Sequence, residues 1–498
     1  MVEVSRTARV IQNAKVALFF YCINLILQFF SRKIFLDYLG AELLGLNTTA
    51  QNLLQFLNLA ESGIGAAVAF ALYKPLSQGN RQEIIDIVSL QGWFYRWVGL
   101  FVIAGSIVLM AFFPWIFAKA DVPLIYAYGT FIAFLISALL GYFVNYKMIV
   151  LSADQKEYKI TIETQSIKVI KVFIQMLAIW KLPHGYVWWM VLEVLAGVLT
   201  SLRLNCCIRR EYPWLVSDLS RGKELRVQYS FVLTKTKQLF FHKIGGFVLG
   251  QTTPLIVYAF TTLSMVAIYG NYVLILGGCL LLVDALSRGL NAGVGNLVVN
   301  GDLKTIKDVF WQLQTIRLFF AGFICSGFFF LSESFVKLWV GDEYVMALFP
   351  MSVLLAVYFI QMSRTCDIFL SAYGLFQDIW APVLESISSI VFSVLFGYFW
   401  GISGIFLGIL LSQLAIVNSW KPYFLYKCAF HENISEYVVL YTKKLSMVLL
   451  LCCSSSIIDI QIRGWIGWLQ QALLLTLLYF SAGTALFYFQ CRPDRKCA

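Results

Sequence analysis

The chain has 498 residues, of which 60% are hydrophobic and 13% are charged, and its mean hydropathy is +0.76. A water-soluble globular chain does not hide that much apolar surface, so the composition excludes that class and favours a membrane protein. The formal net charge of +11 suits lipid headgroups as well as nucleic acid, and the placement of the cations decides between them.

Long apolar runs follow one another along the whole chain. About twenty apolar residues suffice to cross roughly 30 Å of hydrocarbon, and runs without period-two alternation favour helices over barrel strands. The predicted spans are Val16–Phe30, Leu43–Leu72, Trp93–Phe117, Leu124–Leu151, Ile160–Ile179, Tyr186–Cys207, Leu239–Phe260, Thr262–Leu290, Val309–Leu331, Val345–Ala372, Trp380–Phe399, Ile402–Tyr426, Leu445–Ile460 and Ile466–Phe489. The sequence therefore predicts an all-α integral membrane protein with about 14 transmembrane helices.

Lysines and arginines concentrate in every second gap between these runs. The sixth gap is the richest, with Arg209, Arg210 and Arg221 among its cations, whereas the opposite gaps hold few. The positive-inside rule then places both termini in the cytoplasm. Topology and lipid headgroups account for the net charge, so no nucleic-acid partner is expected.

A weak internal repeat relates the two halves. The segment 76–88 reappears loosely at 298–310, with Gly79 and Gly301 offset by 222 residues. Two parallel repeats with a site between them are typical of transporters, although similarity between amphipathic loops is the alternative. We expect a six-helix lobe at 1–207, a basic cytoplasmic linker at 208–237, a second six-helix lobe at 238–430 around a central cavity, and two extra helices with a tail at 431–498.

Polar residues inside the fifth span form one stripe. At 100° per residue, Thr161, Thr164, Lys168, Lys171 and Gln175 share a face, and Lys171 lies roughly 16 Å in from Ile160. An ionisable group at that depth costs at least about 3 kcal/mol unless it meets a partner or a cavity. A cavity-facing stripe is the functional interpretation, and lysines that snorkel to the headgroups are the alternative.

Amide side chains mark the first two spans. Asn24, Gln28 and Ser31 share a face that ends at Arg32, and the second span carries Asn47, Gln51, Gln55, Asn58 and Ser62 with Glu61 at the edge. Amides suit hydroxyl-rich ligands, and hydrogen bonding between helices is the rival explanation.

The second half adds Lys243 with the pairs Asp284/Arg288 and Arg364/Asp367. These pairs are either ordinary salt bridges between helices or part of a cationic site. The spacing of Gly404 and Gly408 also predicts a close approach of two helices.

Several segments resemble the Wzx-like polysaccharide flippases, a branch of the multidrug/oligosaccharidyl-lipid/polysaccharide exporter superfamily. The segments that carry the resemblance, which extends to about Phe430, are Ser31–Asn47, Leu59–Gly65, Leu72–Pro75, Ser152–Lys156, Tyr269–Tyr272, Gly295–Asn296, Trp339–Gly341, Gly374–Asp378, Gly401–Gly408 and Tyr426–Lys427. The resemblance implies a MATE/MurJ-like fold in a bacterial inner membrane. It implies carriage of a polyprenyl-diphosphate-linked oligosaccharide to the outer leaflet by alternating access of the two lobes, for surface polysaccharides such as O-antigen or capsule.

The site residues follow from this expected substrate. We expect the diphosphate to be held by Arg32, Lys168, Lys171, Lys243, Arg288 and Arg364. Sugar contacts are expected at Asn24, Gln28, Gln51, Gln55 and Asn58, and ion coupling or charge pairing at Glu61, Asp284 and Asp367. Membrane lipids are expected partners, and a glycan polymerase of the same pathway is a candidate partner.

Two other classes compete with this interpretation. A cation-coupled multidrug antiporter of the same superfamily would share the helix layout but would need buried carboxylates among aromatic walls. A membrane enzyme would need a catalytic set, and the three histidines with short external gaps offer none. No catalytic residue, metal or cofactor is therefore expected.

Overall fold

The computed structural model describes residues 6–61, 63–375, 380–454 and 464–490. These residues are almost entirely helical, and no strand occurs among them. The helices are α1 (Arg6–Asn58), α2 (Ile64–Gln78), α3 (Arg81–Ala111), α4 (Phe113–Ile116), α5 (Leu124–Phe143), α6 (Ile149–Ala153), α7 (Glu157–Lys181), α8 (Gly185–Glu211), α9 (Gly222–Gln228), α10 (Ser230–Phe260), α11 (Leu263–Asn300), α12 (Leu303–Trp339), α13 (Leu348–Met362), α14 (Cys366–Ala372), α15 (Trp380–Ala415), α16 (Lys421–Leu425), α17 (Ile434–Ser454) and α18 (Gly464–Gln490).

Within the described ranges, nine helical segments are long and apolar enough to cross a membrane. They are Ile11–Asn58, Arg81–Ala111, Leu124–Phe143, Gly185–Glu211, Leu263–Asp284, Leu303–Trp339, Leu348–Ala372, Trp380–Phe430 and Gly464–Gly483. The all-helical membrane class is thus confirmed, whereas the number of 14 crossings stays a prediction.

Two of these segments contain a backbone break that only glycine adopts readily. A straight helix of the 53 residues of α1 would be about 80 Å long, far more than one crossing uses. Gly40 interrupts α1 with φ 81° and ψ 171°, and Gly401 interrupts α15 with φ 56° and ψ −135°. Both breaks fall in gaps between predicted spans.

The second predicted span, Leu43–Leu72, is not one continuous helix. A 3₁₀ turn at Leu59–Glu61 and a left-handed Gly63 (φ 97°) separate α1 from α2. The hydropathy of this stretch is continuous, so the pattern of apolar residues gave no sign of the interruption. The predicted span Val345–Ala372 is likewise divided at residues 363–365, between α13 and α14.

Contacts divide the chain into two compact units. Unit 1 comprises Met1–Tyr258 with Thr262–Ala267, and unit 2 comprises Ala259–Thr261 with Ile268–Ala498. In unit 1, α7 packs on α1 and α8, while α5 packs on α1, α3 and α8. In unit 2, α12 packs on α13, α17 and α18, and α13 packs on α15.

The segment predicted as a linker, 208–237, contains α9 and packs on α3 within unit 1. Arg221 donates to Asp86 at 3.0 Å, and the backbone N–H of Asp218 donates to the Ser89 hydroxyl at 2.9 Å. A Cβ on Gly222 would lie 2.1 Å from the Trp93 ring, so the chain passes directly over that ring. The predicted domain boundaries themselves stay a prediction.

Both repeated segments begin a helix at the same position. Asn80 caps α3 by accepting from the Glu83 N–H at 3.3 Å, and Asp302 occupies the corresponding N-cap position of α12 without a side-chain cap hydrogen bond. The paired positions Ile84 and Ile306 are both buried, at 2% and 3% exposure. The repeat therefore corresponds to two helix starts, each with a buried isoleucine at the same position.

The glycine pair in α15 confirms its predicted packing role. A Cβ on Gly404 would lie 2.0 Å from the Phe396 carbonyl oxygen, and one on Gly408 would lie 2.3 Å from the Ser393 backbone nitrogen. The Ser393 hydroxyl donates to the Ile405 carbonyl across the same contact at 2.9 Å. The two arms of α15 therefore meet backbone to backbone.

We expect Gly404→Ala to lower the free energy of unfolding by about 1 to 3 kcal/mol, because the added methyl group forces these arms apart. Thermal unfolding of the purified protein in detergent measures the effect. Gly327→Ala in α12 is the control, since a Cβ there meets nothing within 4 Å. Equal melting temperatures for the two variants would contradict the packing role.

Candidate functional site

A polar face lies where α1 packs beside α7. The Asn24 amide donates to the Gln165 side chain at 3.0 Å. One turn further along each helix are Gln28 and Lys168, which are both exposed. Lys168 makes no ion pair with any residue that the structure describes. We call the set Asn24, Gln28, Arg32, Lys168 and Lys171 the α1–α7 polar face.

Arg32 anchors the next turn of α1. Its guanidinium donates to the Ala267 carbonyl at 3.0 Å, and the side chain is half-buried. This contact fixes the position of the guanidinium on α1.

Lys171, by contrast, is held in an ion pair. Its ammonium donates to both carboxylate oxygens of Glu193 at 2.8 Å, and Gln175 donates to Glu193 at 3.2 Å. The lysine and glutamate side chains are only 16% and 13% exposed. Lys171 is therefore a paired charge between α7 and α8, whereas Lys168 is exposed and has no ion-pair partner among the described residues.

Tyrosine hydroxyls bond three of the polar residues predicted after Gly40, and Ser62 of the same stripe lies outside the described residues. Tyr186 donates to Asn47 at 2.7 Å, and Tyr142 donates to Asn58 at 2.9 Å. Tyr95 donates to Glu61 at 2.6 Å. These bonds tie helices together, as the rival explanation held.

Two members of that stripe remain open. Gln51 is exposed and Gln55 is half-buried, and neither makes a side-chain hydrogen bond with the residues described. The structure thus separates the predicted sugar ligands into available amides (Gln28, Gln51 and Gln55) and amides already bonded within unit 1 (Asn24 and Asn58).

Unit 2 contains a compact charge network. Arg364 donates to Glu385, while its distance to Asp367 is 4.0 Å. The predicted Arg364/Asp367 ion pair is thus present, and Asp367 is paired more closely with Lys421, at 2.5 Å. The predicted Arg364/Asp367 pair is therefore part of a larger network between α14, α15 and α16.

Three members of this network were not predicted: Arg317, Glu385 and Lys421. Arg317 donates to the Met362 carbonyl at 2.9 Å and to the Arg364 carbonyl at 3.1 Å. These two carbonyls lie at the end of α13 and in the short connection to α14. Lys421 is only 8% exposed and begins α16, which lies between two π-helical turns, Ile416–Trp420 and Tyr426–Phe430. Irregular helices with converging charges are typical of functional regions.

The remaining predicted residues lie elsewhere. Asp284 is exposed, and the side chains of Lys243 and Arg288 lie outside the described residues. Across the described residues no group of His, Cys, Asp and Glu side chains could hold a metal ion.

An ionic network closes the turn between α6 and α7, in the segment Ser152–Lys156. Asp154 pairs with Lys156 at 2.8 Å and with Arg9 at 3.2 Å, and Tyr212 donates to it at 2.7 Å. Burial alone would raise the pKa of Asp154. The hydrogen bonds from Lys156 and Tyr212 outweigh burial, so the pKa lies below its ordinary value of 3.8.

A lowered carboxyl pKa gives a defined pH dependence. The folded state favours the Asp154 carboxylate, so its contribution to stability is present at neutral pH and is lost as the pH falls below about 4. We expect Asp154→Asn to lower the free energy of unfolding at pH 7 by about 1 to 3 kcal/mol. Its deficit relative to the unsubstituted protein should shrink between pH 6 and pH 3 in thermal unfolding. A deficit that stays constant over this range would contradict the charge network.

Comparison with known proteins identifies the fold. No family model and no curated protein matches the sequence. The lipid II flippase MurJ in an inward closed conformation matches with a TM-score of 0.68 and 15% identity, over 97% of this chain and 100% of that one. An inward-facing multidrug resistance MATE family transporter of the MOP superfamily matches with a TM-score of 0.61 and 12% identity, over 80% and 93%. The chain therefore has the MurJ- and MATE-like fold, as the sequence predicted.

Proposed function

We propose that the protein is a flippase that carries a polyprenyl-diphosphate-linked oligosaccharide from the cytoplasmic to the outer leaflet of a bacterial inner membrane. The fold supports a transporter rather than an enzyme, since the two similar structures bear the names of a flippase and a transporter. The proposal that the cargo is a surface-polysaccharide repeat unit, for O-antigen or capsule, comes from the sequence resemblance.

The exposed Lys168 beside exposed amides is the observation that carries the proposal. A diphosphate left unpaired in hydrocarbon would be prohibitively costly, so its carrier needs cations that are not already neutralised. Lys168 supplies such a charge on the α1–α7 polar face. Gln28 on this face offers a donor and an acceptor to sugar hydroxyls, as does Gln51 beyond the break at Gly40.

The ion pairs suggest that some of the predicted residues bind the cargo and that others stabilise the helices. Lys168 and Arg32 contact the diphosphate, and Lys171 supports α7, which presents Lys168. Arg364 and Asp367 belong to the charge network of unit 2 and stabilise α14, α15 and α16 there. Lys243 and Arg288 remain candidate diphosphate ligands, and Gln28, Gln51 and Gln55 remain candidate sugar ligands.

The same pairs disfavour the antiporter alternative. A cation-coupled antiporter needs carboxylates that can exchange protons or cations. Glu193 is paired with Lys171, Asp367 with Lys421 and Glu163 with Arg203. Glu61 already accepts from a tyrosine. Of the three carboxylates expected to serve ion coupling or charge pairing, Glu61, Asp284 and Asp367, Asp284 is the exposed one in the described structure.

Deletion of the chain from its host tests the proposal. We expect a lipid-linked repeat unit to accumulate on the cytoplasmic leaflet and surface glycan to disappear, with both reversed by the unsubstituted protein. Efflux of cationic dyes should not change. Normal surface glycan together with lost dye efflux would overturn the flippase proposal in favour of the antiporter.

A further inference from the structure

A cationic pocket, separate from the α1–α7 polar face, lies on the outside of the α7–α8 hairpin. It is a cavity of about 310 Å³, lined by Lys159, Ile162, Glu163, Arg203, Cys206, Cys207, Arg210 and Glu211. This size is at the lower end of the range for small-molecule sites. Its three cations and two carboxylates leave it net positive, and the function proposed above does not use it.

The pocket is distinct from the α1–α7 polar face. At 100° per residue, Lys168 lies about 120° around α7 from Ile162, whereas Phe173 lies about 20° from it. Phe173 is 55% exposed, as expected of a side that meets lipid. The pocket therefore opens on the apolar side of α7.

On α8, too, the pocket residues lie on the apolar side of the helix. Arg203 and Arg210 lie within about 40° of Leu199 around the helix. Leu195, Leu199 and Leu202 are 57%, 50% and 57% exposed, and they form an apolar strip that leads along the helix to the two arginines. Charged groups at the end of a lipid-facing strip lie at the level of the lipid headgroups.

The arginines keep donors available. Arg203 donates through Nε to Glu163 at 2.9 Å, and its terminal nitrogens make no hydrogen bond with the residues described. Its side chain is 59% exposed. Arg210 is exposed and forms no ion pair in the described part of the chain. Lys159 forms an ion pair with Glu211. The two arginines are therefore the groups of this pocket that can donate hydrogen bonds to a phosphate.

We propose that this pocket binds the headgroup of an anionic phospholipid, with the acyl chains lying along the apolar strip of α8. The phosphate diester meets Arg210 and the terminal nitrogens of Arg203, which are the donors that suit phosphate geometry. The positive-inside pattern assigns the pocket to the cytoplasmic leaflet. An apolar strip that ends at two arginines fits a lipid, which has apolar chains and a charged headgroup, and does not fit a soluble anion.

Native mass spectrometry of the full-length protein tests the site. The protein is equilibrated with phosphatidylglycerol and phosphatidylcholine of matched acyl chains, and the retained lipid is counted. We expect preferential retention of phosphatidylglycerol. Arg210→Gln should weaken that retention about fivefold, the usual effect of one cation near a membrane surface.

Two further variants separate the site from general charge. Glu163→Gln should strengthen retention of phosphatidylglycerol, because it removes a negative charge and releases Arg203. Since this change acts in the opposite direction, misfolding cannot imitate it. Lys235→Gln on α10, which removes an exposed cation outside the pocket, should leave retention unchanged.

Three results would overturn the proposal. Equal retention of the two lipids by the unsubstituted protein would exclude an anionic headgroup site. An equal loss in Lys235→Gln and Arg210→Gln would reduce the preference to net charge. Displacement of phosphatidylglycerol by millimolar inorganic phosphate would show a soluble-anion site instead.

Discussion

Arg364→Met is expected to lower the free energy of unfolding by about 3 to 5 kcal/mol, because it leaves a buried carboxylate without its partner. Glu385 is 2% exposed and accepts from the Arg364 guanidinium. Removing the cation also leaves Asp367 with Lys421 as its remaining ion-pair partner in the described network. Thermal unfolding in detergent measures the loss.

The double variant Arg364→Met, Glu385→Met is the control for this prediction. Replacing both charges by apolar groups removes the unpaired carboxylate, so most of the lost stability should return. Lys337→Met provides a surface reference, since its pair with Glu333 is exposed to solvent and should contribute little to stability. A melting temperature of Arg364→Met equal to that of Lys337→Met would contradict the buried network.

Lys168→Ala is expected to reduce translocation of lipid-linked oligosaccharide tenfold or more while leaving the protein folded. A charge-assisted hydrogen bond contributes about 1.5 to 3 kcal/mol, which corresponds to a factor of about 10 to 100. Folding should be unaffected because the exposed ammonium has no ion-pair partner among the described residues. Surface glycan in a complemented deletion strain and the rate in reconstituted vesicles measure the effect.

Two matched variants sharpen this prediction. Lys168→Arg keeps the cation and should retain most of the activity. Lys181→Ala removes an exposed cation from the far end of α7, where the ammonium lies over the Trp180 ring, and should translocate normally. If Lys168→Ala complements as fully as Lys181→Ala at equal expression, Lys168 does not contact the cargo.

Much of the fold follows from local sequence properties. Hydropathy predicts the helices, since length and apolarity are the requirements for crossing a bilayer. The gaps around Gly40 and Gly401 correspond to breaks because those residues adopt backbone angles that other residues avoid. The spacing of Gly404 and Gly408 predicts close packing, which the structure confirms.

The charge partners depend on contacts between helices and were missed. A simple signal was present for the α7–α8 hairpin, which turns near Leu182. Lys171 lies eleven residues before Leu182 and Glu193 eleven after it. Gln175 and Trp189, which share a hydrogen bond, stand seven residues before and after. Counting outward from the turn would have identified Glu193 as the partner of Lys171.

Counting residues outward from a turn does not predict the pairing of Asp367 with Lys421 in unit 2. Asp367 and Lys421 are 54 residues apart, and the chain between them includes the backbone break at Gly401 and the π-helical turn before Lys421. Each irregularity shifts the register of the residues that follow. The pairing therefore depends on tertiary packing that hydropathy does not encode.

Translocation in proteoliposomes tests the central claim most directly. The purified protein is reconstituted with a fluorescent polyprenyl-diphosphate-linked oligosaccharide, and the fraction accessible to a membrane-impermeant glycosidase or quencher is followed with time. We predict that the protein moves the lipid between leaflets and that Lys168→Ala slows this movement tenfold or more. Translocation no faster than in protein-free vesicles, with folded protein and several lipid-linked oligosaccharides tested, would contradict the flippase assignment.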